Sequence, residues 1–363
     1  MRNRILILAP YPIEGASVRY RVYQYLPYLK EAGFEYDVET FITSKMYGVI
    51  YKKGKLFTKV FFLCKALWRR FWVCVCLWKY QMIYIHLESS PLPFLCLEKV
   101  ARFLKKPIIY DLDDAIFLGK NKGFRKWVKS HIKIPKQISY SQEIIVCNEY
   151  LQGYARKFNK RSQIHVISTP VDLNKFQLEK KETDLLTIGW IGSHSTFPYL
   201  KNVFDVFEHL SQKYNFVLKI VGAPERVHLK NVQIQQKPWS LEEEDGDFSD
   251  LDIGVYPLPN DSWVKGKTGY KTMQYMAAGI PCVASNVGRN AMLVQHGENG
   301  YLASSHQDWV IYLSELLSSK PLREKFREKG RKSALAQFSI EVQAPRFLNV
   351  FQKYQAPKMI RWD

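Results

Sequence analysis

The sequence predicts an α/β protein built from two doubly wound domains, each a parallel sheet with helices on both faces. Short apolar runs alternate with helical patterns along the whole chain, and this alternation is typical of parallel sheets. At 363 residues the chain also exceeds the size of one typical hydrophobic core. A hydrophobic content of 47% with 24% charged residues is that of an ordinary globular protein.

The apolar runs place the expected buried strands in both halves of the chain. In the first half these runs are Ile5–Ala9, Met82–His86, Ile108–Tyr110, Ile144–Cys147 and His165–Ile167. In the second half they are Leu186–Trp190, Val217–Val221, Val232–Gln235, Ile253–Tyr256, Pro281–Ala284 and Tyr301–Ala303. Since each run is only a few residues long and is flanked by polar segments, it fits a strand that is buried on both faces.

A polar and charged segment, Thr169–Thr183, separates the two halves and lacks an apolar period. We therefore predict a first domain over residues 1–170, a linker over 171–183 and a second domain over 184–338. Residues 339–363 are expected to form a C-terminal helix that packs back towards the first domain. Two doubly wound domains facing each other would form a cleft between their strand carboxyl ends, where ligands usually bind.

The net charge of +19 is concentrated in the first half of the chain. Residues 1–180 carry 31 Lys and Arg against 14 Asp and Glu, while the remainder carries 22 against 20. This excess predicts an anionic partner, either nucleic acid or an anionic membrane face. The six cysteines match no zinc or CxxC spacing, which favours a reduced, cytoplasmic setting.

Residues 55–79 (KLFTKVFFLCKALWRRFWVCVCLWK) form the most apolar segment, and their charges are too frequent for a spanning helix. On a helical projection the cations fall on one side and the aromatic side chains on the other. This pattern predicts a helix that lies in a membrane interface and contacts it through Trp68, Arg69, Arg70 and Trp72. The alternative is an ordinary domain helix that packs on the sheet. Nucleic acid is not expected, because the segment has no recognised binding motif.

The segment Lys265–Ser285 (KGKTGYKTMQYMAAGIPCVAS) predicts a basic loop, a helix, and a Gly-Ile-Pro turn into a buried strand. Lys267 and Lys271 lie four residues apart at the first turns of this helix. Free backbone N–H groups and the helix dipole favour anions there, so the lysines are candidate ligands of a diphosphate. The alternative is that both are solvated surface lysines.

Residues 255–303 resemble the C-terminal signature of retaining glycosyltransferases of family 4, which have the GT-B fold. Supporting segments are TIGWIG at Thr187–Gly192, KIVG at Lys219–Gly222 and HVISTPVDLNKF at His165–Phe176. The opening Leu8–Arg21 (LAPYPIEGASVRYR) is similar to the first strand and glycine loop of the family. The resemblance covers most of the chain.

The resemblance implies a retaining transferase that takes a sugar from a nucleotide-diphosphate sugar. No metal and no further cofactor are expected, because lysines and helix N-termini neutralise the leaving diphosphate in this family. Together with the basic first half, it implies a glycan or lipid-linked acceptor in cell-surface polysaccharide or glycolipid assembly. The protein would then be cytoplasmic and peripheral on the inner face of the cytoplasmic membrane.

The chain departs from the usual Glu-x7-Glu pattern of the family. Gln274 occupies the place of the second glutamate, which holds the ribose, and Gly266 occupies the place of the first. An amide can still hydrogen-bond a vicinal diol but forgoes the charge-assisted bond. Gln274, Tyr270 and Gly192 are therefore expected at the ribose and nucleotide, and the donor sugar stays open. The usual Arg/Lys pair is replaced by Ser193–Thr196, which strengthens the case for Lys267 and Lys271.

In the first domain, IYDLDDAIF places Asp111, Asp113 and Asp114 at the end of a strand. Asp113 and Asp114 are the candidate catalytic residues. Three carboxylates there could act as an acceptor base, bind acceptor hydroxyls or hold Mg²⁺. The alternative is that Asp111 or Asp113 caps the following helix.

The glycine loop after the first strand supplies the other donor candidates. Gly15 and Arg19 are expected at the donor diphosphate, because an arginine suits bidentate phosphate contact. Arg21 is a weaker candidate for the acceptor or sugar pocket. For both arginines the alternative is a structural role.

Four further residues are weak candidates for the acceptor or sugar pocket. His86 and Glu88 end a predicted strand on the acceptor side, and Asp261 and Trp263 precede the two lysines. Two rival functions also remain. One is a GT-B epimerase or hydrolase acting on a nucleotide sugar, and the other is a non-catalytic protein that binds sugar nucleotides or glycans.

Overall fold

The chain divides into two units, one formed by residues 1–170 with 343–363 and the other by residues 171–342. A computed structural model describes residues 3–50, 54–92, 95–119, 133–176 and 185–355. Residues 177–183 of the predicted linker, and the tail after residue 355, lie outside the described residues. Each unit is described separately below.

The first unit contains a six-stranded parallel sheet in the order β2-β1-β3-β4-β5-β6. Its strands are β1 Arg4–Ala9, β2 Glu35–Thr40, β3 Met82–His86, β4 Ile108–Leu112, β5 Glu143–Val146 and β6 Gln163–Val166. Its α-helices are α1 Ala16–Arg21, α2 Leu26–Glu31, α3 Ser44–Ile50, α4 Leu56–Val75, α5 Cys96–Phe103, α6 Lys133–Tyr140 and α7 Glu149–Phe158.

The second unit contains another six-stranded parallel sheet, in the order β12-β11-β10-β7-β8-β9. Its strands are β7 Leu186–Ile191, β8 Phe216–Val221, β9 Gln233–Lys237, β10 Ile253–Tyr256, β11 Cys282–Ser285 and β12 Tyr301–Ala303. Its α-helices are α8 Phe197–Lys201, α9 Phe204–Leu210, α10 Ser262–Lys265, α11 Tyr270–Ala277, α12 Asn290–Leu293, α13 His306–Ser318 and α14 Lys320–Phe338. The predicted pair of doubly wound parallel sheets is confirmed.

Strands form where the apolar runs are, because a parallel strand covered by helices on both faces must bury nearly every side chain. Every residue of β3, β4 and β5 is buried. The sequence prediction missed β2, whose sequence EYDVET is polar and whose residues are only partly buried. β2 lies at the edge of its sheet, where one side of a strand stays in solvent.

The last helix, α15 (Ile340–Gln352), continues through Pro345 and returns the chain to the first unit. Its Phe347 ring stacks on Tyr25, with centroids 3.9 Å apart, and also packs edge-on against Tyr84 at 5.6 Å. Beyond the helix, the Gln355 side chain donates to the carbonyl of Ala32 at 3.0 Å. Residues 343–355 therefore belong to the packing of the first unit.

Candidate functional site

Polar side chains of the first unit gather where β1, β3 and β4 end. Ser17 lies in α1, which follows β1, while His86 is the last residue of β3 and Asp111 lies near the end of β4. His86 and Asp111 are direct neighbours in the register of the two strands. Because the carboxyl ends of parallel strands share one edge of the sheet, residues far apart in sequence meet there.

The carboxylate of Asp111 is the centre of this cluster and is fully buried. Its Oδ2 accepts hydrogen bonds from Tyr84 Oη and His86 Nδ1, each at 2.8 Å, and from Arg21 Nε at 3.1 Å. Arg21 also pairs with Oδ1 through its terminal nitrogen. Burial alone would raise the pKa of Asp111, but the Arg21 charge and the His86 hydrogen bond hold that pKa well below its usual range.

Arg21 has a structural role, and this corrects its assignment to the acceptor or sugar pocket. Its guanidinium is fully buried, pairs with Asp111 and donates to the carbonyl of Ile167 at 2.7 Å. A contact with a ligand would require breaking a buried ion pair, which is strongly unfavourable. The arginine instead fixes Asp111 and the turn after β6.

Ser17 links His86 to Asp113. Its Oγ lies 2.7 Å from His86 Nε2 and donates to Asp113 Oδ2 at 2.7 Å. Asp113 is 8% exposed, and its Oδ1 is buried without a hydrogen-bond partner among the described residues. The sequence analysis did not single out Ser17, because its partners lie 69 and 96 residues away and no local pattern marks them.

Asp113 and Asp114, the two predicted catalytic residues, have different surroundings. Asp114 is half-buried, and its Oδ1 accepts from the backbone N–H of Ala115 at 2.8 Å. The alternative that Asp111 or Asp113 caps the next helix is wrong for Asp111, whose oxygens bind three side chains. The carboxylate of Asp113 is bound by the hydroxyl of Ser17.

Gly15 and Arg19, predicted at the donor diphosphate, take part in the local packing of the loop before α1. Arg19 is 6% exposed and donates to the carbonyls of Ile13 and Glu14 at 2.9 and 3.2 Å. The N–H of Gly15 already donates to Pro12 O at 2.9 Å. A Cβ at Gly15 would come within 2.7 Å of the Tyr11 side chain, which explains the glycine.

Glu88, a weak acceptor candidate, lies two residues beyond the end of β3. Its Oε1 is 3.6 Å from the Nζ of Lys133, a buried lysine that also donates to the carbonyls of Ser90 and Leu92. The pair fixes the segment after β3 to the start of α6. His86, by contrast, lies within the cluster around Asp111.

In the second unit, the predicted order of basic loop, helix and buried strand is seen at residues 265–285. The helix is α11, and β11 follows it after a turn at Gly279. Gly269 precedes α11 with φ +70°, a conformation that favours glycine, and a Cβ there would lie 2.6 Å from Leu293. The one-turn helix α10 (Ser262–Lys265) precedes the predicted loop and ends at its first residue.

Lys271 and Gln274 lie together on α11. Lys271 is half-buried, and its Nζ donates to Gln274 Oε1 at 2.9 Å and lies 5.5 Å from the centre of the Phe248 ring. Gln274 is 2% exposed. Lys267 lies just before the helix and is half-buried. The residues predicted at the diphosphate and at the ribose are thus adjacent at the start of one helix.

The other nucleotide and sugar candidates of the same unit lie in the loop after β7 and at or near the starts of α10 and α11. Asp261 caps α10 by accepting from the Val264 N–H at 2.8 Å, while Trp263 and Tyr270 are half-buried. Gly192 follows β7, and a Cβ there would lie 2.2 Å from the Trp190 ring, so packing requires a glycine. Because it caps α10, Asp261 has a structural role in addition to its predicted contact with a sugar.

The helix α4 exposes the aromatic face that was predicted to meet a membrane. The exposed fraction is 63% for Trp68 and 50% for Trp72, and Phe57 and Phe61 are also exposed. The rings of Trp68 and Trp72 are 5.9 Å apart. Among the described residues, nine of the seventeen exposed large hydrophobic side chains lie between Leu56 and Trp78. This surface is called the α4 aromatic face below.

The two arginines of α4 do not share this face, which corrects the predicted membrane contact of Arg70. Arg70 is 8% exposed and its side chain packs against Phe41. Burial lowers the pKa of Arg70 to about 10. Arg69 pairs with Glu39 at 3.3 Å and donates to the carbonyl of Thr40. The helical projection took no account of β2. Contacts with β2 residues hold both arginines away from the α4 aromatic face.

No helix in the described part of the chain is both long and apolar enough to span a membrane. The described residues also contain no group of three or more His, Cys, Asp and Glu side chains arranged to hold a metal ion. A cavity of about 690 Å³ lies in the second unit between the loop after β8 and strand β9. No sequence pattern indicated it.

The comparisons with known proteins agree with this architecture. Residues 185–319 match the family model described as Glycosyl transferases group 1, which covers most of the second unit. Sucrose-phosphate synthase from Thermosynechococcus elongatus superimposes with a TM-score of 0.69 at 15% identity, covering 97% of this chain and 99% of that one. The fold is GT-B. At this level of identity, the structural likeness establishes the fold alone.

Two further relatives add detail. The Anabaena protein Alr3699/HepE, solved in complex with UDP and glucose, is a second GT-B neighbour with a TM-score of 0.69 at 13% identity, covering 96% of this chain and 99% of that one. The GDP-Man:Man(3)GlcNAc(2)-PP-Dol alpha-1,2-mannosyltransferase of Dictyostelium discoideum is 30% identical over 111 residues, or 30% of this chain. The matched segments span about a fifth of the length of the curated relatives.

Proposed function

We propose that this protein is a retaining, family 4-like hexosyltransferase that moves a sugar from a nucleotide-diphosphate sugar to a hydroxyl of a glycan or lipid-linked acceptor. The observation that carries the proposal is the pairing of Lys271 with Gln274 at the start of α11, inside the segment that matches the family model. A structural neighbour solved with UDP and glucose supports a nucleotide-linked donor.

The second unit binds the donor in this proposal. Lys267 and Lys271 lie where the first N–H groups of the eight-residue helix α11 also favour an anion. As the bond to the sugar breaks, negative charge builds on the leaving diphosphate, and fixed cations stabilise it without reorganisation. Gln274 hydrogen-bonds the ribose hydroxyls, with Tyr270 and Gly192 bordering the nucleotide. The lysines make a metal ion unnecessary for this step.

The first unit binds the acceptor in this proposal. Asp113 is the carboxylate proposed to meet an acceptor hydroxyl, because its Oδ1 is buried without a hydrogen-bond partner among the described residues. The other oxygen, Oδ2, accepts a hydrogen bond from the Ser17 hydroxyl, which also contacts His86. Trp263, in α10 of the second unit, is proposed to border the transferred sugar.

A transfer assay tests the function directly. Purified protein is incubated with a panel of nucleotide-diphosphate sugars, with and without lipid-linked glycan acceptors, and products are identified by mass spectrometry. We expect nucleotide diphosphate release that depends on acceptor, with the sugar recovered on the acceptor. Release that is indifferent to acceptor would indicate a hydrolase or epimerase. Binding without turnover would indicate a non-catalytic protein.

We further propose that the α4 aromatic face anchors the protein to the inner face of an anionic membrane, where a glycan or glycolipid is assembled. Aromatic rings exposed by half or more on one helix, with exposed Lys55 and Lys65 on the same helix segment, match the chemistry of an interfacial helix. The first half of the chain also carries nearly all of the positive charge excess.

Flotation with phosphatidylglycerol vesicles tests this anchoring. Replacing Trp68 and Trp72 with serine is expected to move the protein from the floated to the soluble fraction. A matched control replaces Met292 and Leu335, which are exposed apolar residues of the second unit, and is expected to float like the wild type. Wild-type protein that stays soluble would rule out the anchor and leave the transfer assay unaffected.

A further inference from the structure

Aromatic rings of the first unit line up next to the carboxylates that follow β4. Tyr150, Tyr154 and Phe158 recur at four-residue spacing on α7, so their side chains share one face of that helix. Phe117, from the segment after β4, stacks on Tyr154 with ring centroids 3.4 Å apart and lies 6.4 Å from the Tyr150 ring. The rings of Tyr154 and Phe158 are 5.1 Å apart. These four residues are called the α7 aromatic stripe below.

The stripe begins close to Asp113, the carboxylate proposed to meet the acceptor. Leu112 and Val146 are neighbours in the register of β4 and β5, and the Sγ of Cys147 donates to the carbonyl of Asp113 at 3.3 Å. Tyr150 follows Cys147 by three residues and lies in the first turn of α7. The end of the stripe that carries Tyr150 therefore lies at the edge of the sheet where the acceptor is proposed to bind.

Part of the stripe is open to solvent. Tyr150 is 38% exposed and Phe158 is 40% exposed, and Tyr150 is the only exposed tyrosine among the residues that the structure describes. Leu118, next to Phe117 in the chain, is 39% exposed. Outside residues 56–78, the described part of the first unit exposes five large apolar side chains, and three of them belong to this region. Exposed apolar side chains that cluster, rather than lie singly, commonly mark a binding site.

Packing of the core accounts for the inner rings of the stripe but not for Tyr150. Phe117 and Tyr154 are half-buried and pack against the core of the first unit, whereas Tyr150 lies outside that core. Tyr150 occupies the second position of α7, and the side chain of Asn148 already caps this helix. Exposed positions of a first turn favour acidic and polar residues, as at Glu149. Neither the helix nor the core therefore requires a ring at this position.

The surroundings of Tyr150 match the chemistry of a sugar. One face of a pyranose presents C–H groups, which pack on a flat aromatic ring, while the sugar hydroxyls need hydrogen-bond partners at the rim. The hydroxyls of Tyr150 and Tyr154 can each donate and accept a hydrogen bond. Asp114, three residues before Phe117, is half-buried and supplies a carboxylate in the same segment. Rings beside hydroxyls and carboxylates suit a carbohydrate better than a hydrocarbon chain.

We propose that the α7 aromatic stripe is an acceptor subsite, on which one sugar ring of a glycan acceptor stacks on Tyr150 while a neighbouring sugar presents its hydroxyl to Asp113. This role rests on the proposed transferase function and names the part of the acceptor that the first unit recognises. The stacked sugar positions the acceptor and takes no part in bond breaking. The stripe should therefore affect acceptor binding and leave donor binding unchanged.

Kinetics of the full-length protein test the subsite, with the acceptor that the transfer assay identifies. Tyr150→Ala should raise the KM for acceptor about tenfold, because the stacking contact is lost. Its kcat and its KM for donor should stay within about twofold of wild type, as expected for a contact made equally before and during transfer. Tyr150→Phe keeps the ring and should stay within about threefold of wild type. Phe103→Ala is the matched control, because Phe103 is an exposed ring at the end of α5, away from the carboxylates.

Tyr150→Leu distinguishes a sugar from a lipid portion of the acceptor. Leucine keeps an apolar side chain but lacks the flat face on which a sugar ring stacks. A sugar should therefore bind Tyr150→Leu as weakly as Tyr150→Ala, whereas a hydrocarbon chain would bind it about as well as wild type. Full recovery of the acceptor KM in Tyr150→Leu would overturn the sugar subsite in favour of a lipid contact.

Tyrosine NMR tests the subsite without turnover. Full-length protein with ¹³C-labelled tyrosine rings is titrated with maltotriose, cellotriose and chitotriose, and the Tyr150 signal is assigned by its loss in Tyr150→Phe. We expect at least one trisaccharide to shift the Tyr150 signal in a saturable manner. The signal of Tyr214, a half-buried residue of the second unit, is the control and should not move.

An acceptor KM that is unchanged in Tyr150→Ala would overturn the subsite, as would a Tyr150 signal that no trisaccharide moves. A wild-type protein that transfers no sugar to any acceptor would overturn the proposed function instead. The NMR titration would then still decide whether the stripe binds a sugar.

Discussion

The two units carry their charged side chains at the strand ends in opposite ways. In the first unit Arg21 and Asp111 are both fully buried and pair with each other. In the second unit Lys271 is half-buried, and its contact partner on the same helix is the neutral amide of Gln274. The first arrangement fixes a geometry, and the second places a cation beside a neutral amide on the helix that is proposed to bind the donor. Fold stability should therefore depend on the first pair and donor binding on the second.

The largest expected effect comes from breaking the buried pair. Arg21→Met leaves Asp111 buried without its cation and should lower the free energy of unfolding of the first unit by about 3–5 kcal/mol. The matched control is Arg4→Met, which breaks a pair with Asp37 whose side chains are 37% and 35% exposed. The control should cost much less, because solvent screens an exposed ion pair. Urea unfolding of both variants measures the contrast, and equal losses would contradict it.

The next effect concerns Lys271. Lys271→Ala should lower kcat/KM for sugar transfer about a hundredfold, since the loss of one preorganised donor to developing charge typically costs this much. Its effect on the free energy of unfolding should be small. Lys265→Ala, at the exposed end of α10, is the control and should behave like wild type. A loss of less than about tenfold in Lys271→Ala would remove the lysine from the donor site.

A smaller effect tests why an amide stands at position 274. Gln274→Glu places a carboxylate about where Oε1 now lies 2.9 Å from Lys271 Nζ. The new negative charge would neutralise the lysine, so we expect donor affinity to fall roughly tenfold, or about 1.4 kcal/mol. This is expected although glutamate is usual at this position in the family that the sequence resembles. Calorimetry with the preferred donor measures this. Tighter binding would show that the ribose contact outweighs the lysine charge.

The smallest effect is a pH dependence of stability. The pKa of Asp111 is depressed in the folded protein, so its contribution is fully present above its ordinary value of about 3.9 and is lost as the pH falls through the folded value. The stability advantage of wild type over Asp111→Asn should thus be constant between pH 7 and 5 and narrow below about pH 4. An advantage that grows towards acid pH would contradict the ion pair.

Local patterns predicted the fold well because buried parallel strands are marked by apolar runs such as Ile5–Ala9 and Ile253–Tyr256. They missed β2, an edge strand with a polar sequence. For that reason they also did not show that Arg69 and Arg70 of α4 contact β2. The site was harder to predict, because its residues are far apart in the sequence. Arg21 and Asp111 are 90 residues apart, and only the sheet register brings such partners together.

The segment around Lys271 was predictable because its features are local. Helix start, lysine spacing and turn chemistry all lie within about twenty residues, and the structure reproduces their order. Tertiary contacts added what the sequence could not show, namely that Lys271 and Gln274 touch and that Asp113 has a buried oxygen without a hydrogen-bond partner among the described residues.

The central claim is that the start of α11 binds the diphosphate of a sugar nucleotide. Calorimetric titration of wild type and Lys271→Ala with a panel of nucleotide-diphosphate sugars tests it most directly, with Lys265→Ala as the control. We expect saturable binding of at least one donor to wild type and to the control, and at least about tenfold weaker binding to Lys271→Ala. Equal donor affinity in all three proteins, or no binding of any donor to wild type, would contradict the claim.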